Sequence, residues 1–321
     1  MICLGIESTA HTFGVGIVKD RKVLANVINS YTTKSGGIIP VNAAEHHIEI
    51  CDKVIQDALS KAKIKLKDVD LISFSQGPGI GHCLRIGAMI ARSLSLMLNK
   101  PIIGVNHCIA HLEIGKLLTK ASDPVLLYAS GANTQIIAFE GGKYRIFGET
   151  LDVGVGNFLD AFARHIGLGF PGGPKLDKLS KEGKNFIELP YVVKGMDVSF
   201  GGILTNLKQK FNSKKYTNED LAYSMQETVF AMLLEVSERA MYHCNKKELL
   251  LGGGVACNTR LQEMAKKMCR ENDSKCFILP NEFNVDNGAM IAWLGLKEYK
   301  NGKKQNISNT EIRPYWRTDE V

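Results

Sequence analysis

The chain has 321 residues, enough for two domains or for two lobes that share a deep cleft. Its 45% hydrophobic and 23% charged residues are typical of a soluble globular protein, and no uninterrupted apolar run approaches the ~20 residues that span a bilayer. Forty Lys and Arg against 33 Asp and Glu give a net charge of +7, which favours a polyanionic partner such as RNA but equally fits a slightly basic surface.

The N-terminus and the cysteines both indicate an intracellular protein. Residues 1–7 lack the basic region, apolar core and cleavage site of a signal peptide, so we expect a cytoplasmic location and no membrane partner. The eight cysteines include no C-x-x-C pair. Zinc-finger spacing is therefore excluded, and reduced thiols are favoured over disulfides.

In chain order, the first part of the sequence predicts a strand meander followed by alternating helices and strands. Strands are predicted at Ile2–Ile6, Phe13–Val18, Val23–Tyr31, Val69–Phe74 and Ile102–Val105, and helices over 43–63, from the glycine-rich turn 76–81 to Leu98, and after His107.

The second part repeats this order. Strands are predicted at Val125–Ser130, Gln135–Phe139, Tyr144–Gly148, Glu248–Leu251 and near Phe277, and helices around 158–166, after Asn218 as N-cap, from Thr259 and from Asn287. The repeat predicts two duplicated α/β lobes, 1–120 and 121–321, with an inserted loop or helical region near 171–217. Residues 171–201 are predicted to form a lid or long loop, and the tail 300–321 to be either partly ordered by its aromatic residues or frayed.

Two histidines four residues apart, His107 and His111, follow the predicted strand Ile102–Val105. On a helix such residues share one face, with Cβ atoms about 5–6 Å apart, and could bind one metal ion. Asp286 and Tyr128 could add oxygen ligands, a set that suits zinc or iron better than calcium or magnesium. The alternatives are a pair of hydrogen-bonded core histidines and, for Asp286, a helix N-cap.

A glycine triplet, Gly252–Gly254, lies between a predicted strand and a predicted helix. Glycines there allow a purine or a phosphate to approach the backbone, and Asn258 could contact a base or ribose. A plain strand-to-helix turn with Asn258 as N-cap is the alternative. The spacing fits neither a Rossmann fingerprint nor a Walker A loop.

Small-residue turns begin both halves, at Glu7-Ser8-Thr9 and at 129–133, and such turns present backbone N–H groups to phosphate unless they are ordinary hairpins. Asp160 lies on an otherwise apolar predicted helix, followed by Gly173 and Asp177. A carboxylate can accept two ribose hydroxyls, whereas a surface aspartate beside an empty loop is the alternative.

Seven short motifs occur together in one order: Glu7-Ser8-Thr9, Gln76-Gly77-Pro78-Gly79, Asn106-His107 with His111, Tyr128-Ala129-Ser130-Gly131, Pro171-Gly172-Gly173-Pro174, Gly252-Gly253-Gly254-Val255-Ala256 and Asp286-Asn287-Gly288-Ala289. With them the chain resembles the Kae1/TsaD/OSGEP family, and within it the archaeal Kae1 branch, over its full length. The resemblance implies an actin-like ATPase (ASKHA) fold, with two duplicated α/β lobes around a central cleft.

The resemblance also implies an activity and its residues. It implies transfer of threonylcarbamoyl from threonylcarbamoyl-AMP to N6 of adenosine 37 in tRNAs that read ANN codons. The implied metal ligands are His107, His111, Tyr128 and Asp286, and the implied nucleotide-binding residues are Tyr128, Ala129, Ser130, Gly131, Ala132, Asp160, Gly173, Asp177 and Asn258. Glu7 and His11 are the candidates for a general base.

The implied cofactors are one divalent metal ion, iron or alternatively zinc, and a nucleotide of the ATP/AMP type or threonylcarbamoyl-AMP. The implied partners are tRNA and the KEOPS subunits: a Bud32-type kinase, a Pcc1-type subunit and a Cgi121-type subunit. The helix predicted over 43–63 and the one over 85–98 are candidate docking faces.

The sequence departs from the family pattern at three places: Asp177 stands where many relatives have Glu, Phe200-Gly201-Gly202 replaces Phe-Ser-Gly, and Tyr315-Trp316 changes an often more basic tail. Three other functions remain alternatives. An ATP-hydrolysing protein or kinase of the same fold would not need the histidine pair. A metalloprotease would need the glutamate spacing of H-E-x-x-H, which is missing, and a scaffold would need no ligand residues.

Overall fold

The computed structural model describes residues 1–33 and 37–321, which divide into two compact units. The first unit contains Met1–Thr32, Ile38–Leu118 and Asp286–Val321, and the second contains Thr119–Val285 with Thr33 and Gly37. Among the described helices, none combines the length and the apolar character needed to cross a bilayer.

The first unit begins with an antiparallel meander that leads into alternating helices and strands. In chain order its elements are β1 Ile2–Glu7, β2 Thr12–Lys19, β3 Lys22–Ser30, α1 Pro40–Ala62, β4 Leu71–Gly77, α2 Gly81–Leu98, β5 Ile102–Asn106 and α3 His107–Leu118.

The second unit starts with the same sequence of elements and adds further helices. Its elements are β6 Val125–Ala129, β7 Thr134–Glu140, β8 Lys143–Glu149, α4 Val155–His165, α5 Gly173–Ser180, β9 Val193–Lys194, β10 Asp197–Val198, α6 Gly201–Asn212, α7 Asn218–His243, β11 Glu248–Gly252, α8 Thr259–Glu271, β12 Lys275–Ile278 and α9 Asn281–Asn284. The chain then returns to the first unit with α10, Gly288–Lys300.

Each unit contains a five-stranded sheet of the same topology. The strand orders are β3-β2-β1-β4-β5 and β8-β7-β6-β11-β12, each with an antiparallel meander on one side and parallel strands on the other. The predicted duplication of α/β halves is therefore confirmed. Because β1, β4 and β5 are parallel, their carboxyl ends lie at one edge of the first sheet, which is where loops of such sheets bind ligands.

Helix α10 packs on β1 and β2, and glycines make this packing possible. A Cβ on Gly16 would lie 2.0 Å from the backbone nitrogen of Ala289, and one on Gly288 would lie 2.1 Å from the nitrogen of Gly16. This close approach explains why Asp286–Val321 belong to the first unit, whereas the sequence-based division placed all of 121–321 in one lobe.

Local structure differs from the prediction in two places. Helix α7 begins at Asn218, and its N-cap is Thr217, whose hydroxyl accepts a hydrogen bond from the N–H of Asp220 at 3.1 Å. The prediction of Asn218 as N-cap was wrong. The predicted lid or loop over 171–201 contains the helix α5, with Pro174 in its first turn and Leu176 buried.

The C-terminal tail is ordered against the turn that follows β4. The N–H of Arg313 donates to the carbonyl of Gln76 at 2.7 Å, and the N–H of Gly79 donates to the carbonyl of Pro314 at 3.1 Å. Trp316 is buried, whereas Tyr315 is 94% exposed. The tail therefore follows the first of the two predicted alternatives, with Trp316 as the residue that anchors it.

Candidate functional site

Helix α3 begins with a histidine because the residue before it is a good N-cap. The side-chain Oδ1 of Asn106 accepts hydrogen bonds from the N–H groups of Cys108 and Ile109, at 3.0 and 3.3 Å. His107 is thus the first residue of the helix, and His111 lies one turn later on the same face. Their ring centroids are 4.9 Å apart, and both side chains are buried. The predicted helical histidine pair is confirmed.

Asp286 reaches these histidines from the residue pair that precedes α10. The N-cap of α10 is Asn287, whose Oδ1 accepts a hydrogen bond from the N–H of Met290 at 3.1 Å. The alternative of Asp286 as N-cap is therefore wrong. Its Oδ1 instead lies 3.3 Å from Nε2 of His107 and 3.4 Å from Nε2 of His111.

These three side chains fit a metal ion by geometry and by chemistry. Bonds of about 2.0–2.1 Å to nitrogen and oxygen give a tetrahedral site whose ligand atoms are about 3.3–3.4 Å apart. The two distances from Asp286 match this separation, and all three ligand atoms lie within 4.8 Å of one another. Two imidazoles and a carboxylate are common ligands of zinc and of non-haem iron.

The protonation states of the cluster also favour a cation. Burial lowers the pKa of His111, although the carboxylate of Asp286 acts in the opposite direction, so the imidazole keeps a lone pair for a metal. Burial opposes ionisation of Asp286, but the two histidines outweigh it and hold its pKa well below the usual value. The carboxylate is therefore ionised at neutral pH.

A second carboxylate lies behind His107. Glu7, the last residue of β1, is fully buried, and its Oε2 lies 2.9 Å from Nδ1 of His107. Its Oε1 accepts hydrogen bonds from the N–H and the hydroxyl of Thr9, at 2.6 and 2.5 Å. The first unit thus brings Glu7, Thr9, His107, His111 and Asp286 into one cluster at the carboxyl edge of its sheet.

In the second unit, two of the predicted turns meet. The parallel pairing of β6 with β11 sets Tyr128 beside Gly252. Gly253 has a φ of +90°, and a Cβ there would lie 2.3 Å from the carbonyl oxygen of Ala129, so this position requires glycine. The turn after β6 also receives hydrogen bonds from the start of α4, because Gly156 donates to the carbonyl of Ser130 at 3.0 Å.

Asp160 and Gly173 are also close to each other. Oδ1 of Asp160, on α4, accepts a hydrogen bond from the N–H of Gly172 at 2.7 Å and so fixes the turn in which Gly173 begins α5. Asp177, on α5, pairs with Lys181 through Oδ2 at 3.2 Å.

The side chain of Asn258 forms hydrogen bonds within the second unit through both its oxygen and its nitrogen. Its Oδ1 accepts from Arg260 and Leu261 as the N-cap of α8, and its amide donates to Oε1 of Gln226 at 2.6 Å. The structural alternative for Asn258, a helix N-cap, is therefore confirmed, and its contact with a nucleotide stays a prediction.

A family model described as TsaD, tRNA N6-adenosine threonylcarbamoyltransferase, matches residues 22–293. The chain belongs to the TsaD family. Membership makes it a transferase that modifies tRNA. The matched segment contains the histidine pair, Asp286 and the turns of the second unit.

Curated relatives of the TsaD family match the chain throughout. The tRNA N6-adenosine threonylcarbamoyltransferase of Thermococcus sibiricus is 57% identical over all of this chain and 99% of its own length. That of Thermococcus kodakarensis is 55% identical over all of this chain and 98% of its own length. The chain is also 52% identical to the probable bifunctional tRNA threonylcarbamoyladenosine biosynthesis protein of Methanocaldococcus jannaschii, of which it covers 60%.

Solved structures show the fold of this TsaD-family chain. The crystal structure of HypF from T. kodakarensis matches 94% of the chain and 48% of its own length, with a TM-score of 0.67 and 15% identity. The activator of 2-hydroxyisocaproyl-CoA dehydratase from Clostridium difficile matches 95% of the chain and 99% of its own length, with a TM-score of 0.56 and 11% identity. The fold is the predicted actin-like ATPase fold.

The sequence missed the role of Thr9 and the contact between Glu7 and His107. The sequence predicts a small-residue turn at Glu7-Ser8-Thr9, but the distance of this turn from His107 depends on the order of parallel strands, which no local pattern gives. Tyr128 lies in the second unit, at the end of β6, and its role as a fourth ligand stays a prediction. His11 is half-buried in the loop between β1 and β2, and its role as a general base also stays a prediction.

Proposed function

We propose that the chain transfers threonylcarbamoyl from threonylcarbamoyl-AMP to N6 of adenosine 37 in tRNAs that read ANN codons, with the help of a bound divalent metal. The single observation that carries the proposal is the group formed by the buried His107 and His111 and the partly buried Asp286, in a chain that aligns throughout with tRNA N6-adenosine threonylcarbamoyltransferases. Tyr128 is proposed as the fourth ligand. Iron is the proposed ion and zinc the alternative, because both accept imidazole and carboxylate ligands.

The donor is a mixed anhydride, and its carbonyl carbon must become electrophilic while AMP becomes a good leaving group. A bound divalent ion would supply Lewis-acid polarisation of donor oxygens. The protein's own part is to hold the two imidazoles and the carboxylate at separations that already match a coordination site, so that little rearrangement accompanies binding.

The nucleotide part of the donor is proposed to bind the second unit at Tyr128, Ala129, Ser130, Gly131, Ala132, Asp160, Gly173, Asp177 and Asn258. Two observations support this. A Cβ on Gly173 or Gly254 would meet nothing within 4 Å, so a ligand has room to approach the backbone there. The N–H of Ser130 already donates to Asn133 at 2.9 Å, which leaves the following two residues as the proposed donors to developing negative charge.

The acceptor is a weak nucleophile, an exocyclic amine on a base of the unpaired anticodon loop. Close positioning of N6 against the donor carbonyl is therefore proposed to supply much of the rate enhancement. Both carboxylate oxygens of Glu7 are occupied by Thr9 and His107. Of the two general-base candidates, His11 is thus better placed to exchange a proton with a substrate.

A second protein is proposed to dock on α1 and α2 in a KEOPS-type assembly. The two helices contact each other, and they carry exposed apolar side chains at Ile48, Met89 and Met97, with exposed fractions of 57%, 57% and 75%. Such side chains fit a helical partner of the Pcc1 type. A Bud32-type kinase and a Cgi121-type subunit are proposed on the family resemblance alone, as is the cytoplasmic location.

The decisive experiment supplies the chain with threonylcarbamoyl-AMP and unmodified tRNA, with and without the proposed partners, and measures modified nucleosides by mass spectrometry. We expect threonylcarbamoyladenosine only when the metal is present, and loss of product in the double variant His107→Ala/His111→Ala.

Three other outcomes would redirect the assignment. Unchanged transfer by the double variant would exclude the metal mechanism. Phosphorylated product from labelled ATP, without a modified nucleoside, would favour a kinase of the same fold, and peptide cleavage would favour a protease.

A further inference from the structure

Glu7 occupies an unusual place for a carboxylate, because it is fully buried and, among the residues that the structure describes, no Lys or Arg side chain is bonded to it. It ends β1, which is parallel to β4, and β4 is parallel to β5, the strand that leads into His107. The strand order therefore places Glu7 and His107 at the same sheet edge. Their side chains meet at 2.9 Å between Oε2 and Nδ1.

The other oxygen of Glu7 is fixed by Thr9. The N–H of Thr9 donates to Oε1 at 2.6 Å, and a backbone N–H can only donate, so Oε1 must be an acceptor. The hydroxyl of Thr9 reaches the same oxygen at 2.5 Å. The turn is itself held in place, because the carbonyl of Thr9 accepts a hydrogen bond from Ile80 at 2.7 Å.

His107 faces a carboxylate at each ring nitrogen: Oε2 of Glu7 lies 2.9 Å from Nδ1, and Oδ1 of Asp286 lies 3.3 Å from Nε2. The contact with Glu7 is the shorter of the two, and its carboxylate is fixed by Thr9, so Nδ1 is the nitrogen better placed to donate. The lone pair of the neutral ring then lies on Nε2, beside Asp286, where the proposed ion would bind.

We propose that Glu7 is a positioning residue that holds His107 in its Nδ1–H tautomer, with Nε2 directed at the proposed metal. The inference rests on the metal site of the proposed function. It differs from the general-base role that the sequence suggested, because every oxygen of Glu7 is engaged within the protein. Carboxylate–histidine pairs of this kind orient metal-binding imidazoles in other proteins and raise their basicity.

The variant Glu7→Gln gives a sharp test because it keeps the size of the side chain but replaces one acceptor by a donor. The N–H of Thr9 can only donate, so the amide oxygen must face Thr9 and the amide NH₂ must face Nδ1 of His107. His107 would then have to accept at Nδ1 and carry its proton on Nε2. The variant is therefore expected to switch the tautomer and to direct a proton at the site of the ion.

The tautomer can be measured without a metal. In metal-free protein with ¹⁵N-labelled histidine, at a pH of about 8 where an ordinary imidazole is neutral, two-bond and three-bond ¹H–¹⁵N correlations identify the protonated nitrogen of His107. We expect Nδ1–H in the unmodified chain and Nε2–H in Glu7→Gln. An Nε2–H tautomer in the unmodified chain would overturn the proposal even if the variant failed to fold.

Metal affinity gives the second readout. Titration with Zn²⁺ or Co²⁺ should show binding weakened about 10–100-fold in Glu7→Gln, the range for residues that orient a ligand. The matched control is Glu113→Gln, which also neutralises a buried carboxylate of the first unit. Glu113 lies on α3, and its Oε2 accepts a hydrogen bond from Nζ of Lys297, on α10, at 2.6 Å. The control should retain both the tautomer and the affinity.

The two proposals fail in different ways. If the unmodified chain binds neither ion, the metal site of the proposed function is wrong, whatever the tautomer. If the unmodified chain binds the ion and Glu7→Gln binds it equally well with the Nδ1–H tautomer retained, the role of Glu7 is wrong and the metal site stands.

Discussion

Oδ1 of Asp286 lies 3.3 Å from Nε2 of His107, although Asp286 precedes the last helix of the fold and His107 follows the fifth strand. The contact exists because Asn287 caps α10 and leaves the carboxylate of Asp286 to the histidines. Asp286 and Asn287 could each cap a helix, but Asn287 caps α10 and Asp286 contacts the histidines.

The first prediction distinguishes the proposed metal-ligand role of Asp286 from the N-cap role of Asn287. Asp286→Asn should weaken Zn²⁺ binding by more than about 100-fold, beyond the range for residues that only orient a ligand, because it removes an ionised ligand. Asn287→Ala should instead lower the free energy of unfolding by about 1 kcal/mol through loss of the N-cap. Titration calorimetry and urea denaturation of both variants measure the two effects. Equal loss of affinity in both would show that the cap, not the carboxylate, maintains the site.

The second prediction concerns the packing of α10 on β1 and β2. In Gly16→Ala the new Cβ would lie 2.0 Å from the backbone nitrogen of Ala289, so the helix must shift, at a cost of about 1–3 kcal/mol or more. Gly202→Ala, on α6, is the matched control, because a Cβ at this position would have no atom within 4 Å. It should be neutral or stabilise the chain by up to about 1 kcal/mol. Chemical denaturation compares the two, and equal stability would contradict the close helix–strand contact.

The third prediction is a pH dependence that arises from His47, whose Nε2 lies 3.0 Å from the carbonyl of Ala10. The pKa of His47 is lowered to about 4, mainly by burial; the hydrogen bond to the carbonyl of Ala10 acts in the opposite direction, and the neighbouring His46 and His11 add to the lowering. The unfolded chain, with a histidine pKa of about 6.5, therefore takes up the proton first as the pH falls. The contribution is fully present above pH ~6.5 and is lost between about 6.5 and 4, on the order of 3 kcal/mol in all.

The variant His47→Gln tests this assignment. Its amide can still donate to the carbonyl of Ala10 but does not titrate. Between about pH 6.5 and 4, the free energy of unfolding should therefore fall by about 3 kcal/mol less in the variant than in the unmodified chain. Urea denaturation at several pH values measures the slope. An identical slope in both chains would assign the acid sensitivity to other groups.

The fourth prediction compares two adjacent aromatic residues of the tail. Trp316 is 6% exposed, with the guanidinium of Arg313 4.3 Å from its ring, whereas Tyr315 is 94% exposed. Trp316→Ala should cost about 3 kcal/mol as a buried aromatic truncation, and Tyr315→Ala should stay within about 0.5 kcal/mol of the unmodified chain. Hydrogen exchange at the N–H of Arg313 and Gly79 should increase only in the first variant. Increased exchange in both would mean that the tail is held by the backbone as a whole.

The incorrect prediction of Asn218 as N-cap and the rejected alternative of Asp286 as N-cap have a common physical reason. At 217–218 and at 286–287, two neighbouring residues both have side chains that suit an N-cap. The choice between them depends on which residue has extended backbone angles and which side chain is needed elsewhere. Thr217 and Asn287 both have extended backbone angles, at φ −76° and −152°, and both cap the helix that follows.

The sequence alone determined whatever depends on neighbours along the chain. The period of apolar residues gave both meanders and the helices of each half, and the spacing of four gave His107 and His111 a common helix face, because these patterns reflect the repeat of a strand or a helix. Only the tertiary structure decided that Glu7 lies behind His107 and Asp286 in front of it. Those contacts depend on the order of parallel strands in the sheet and on the close packing of α10 at glycines, which join residues far apart in the sequence and leave no local pattern.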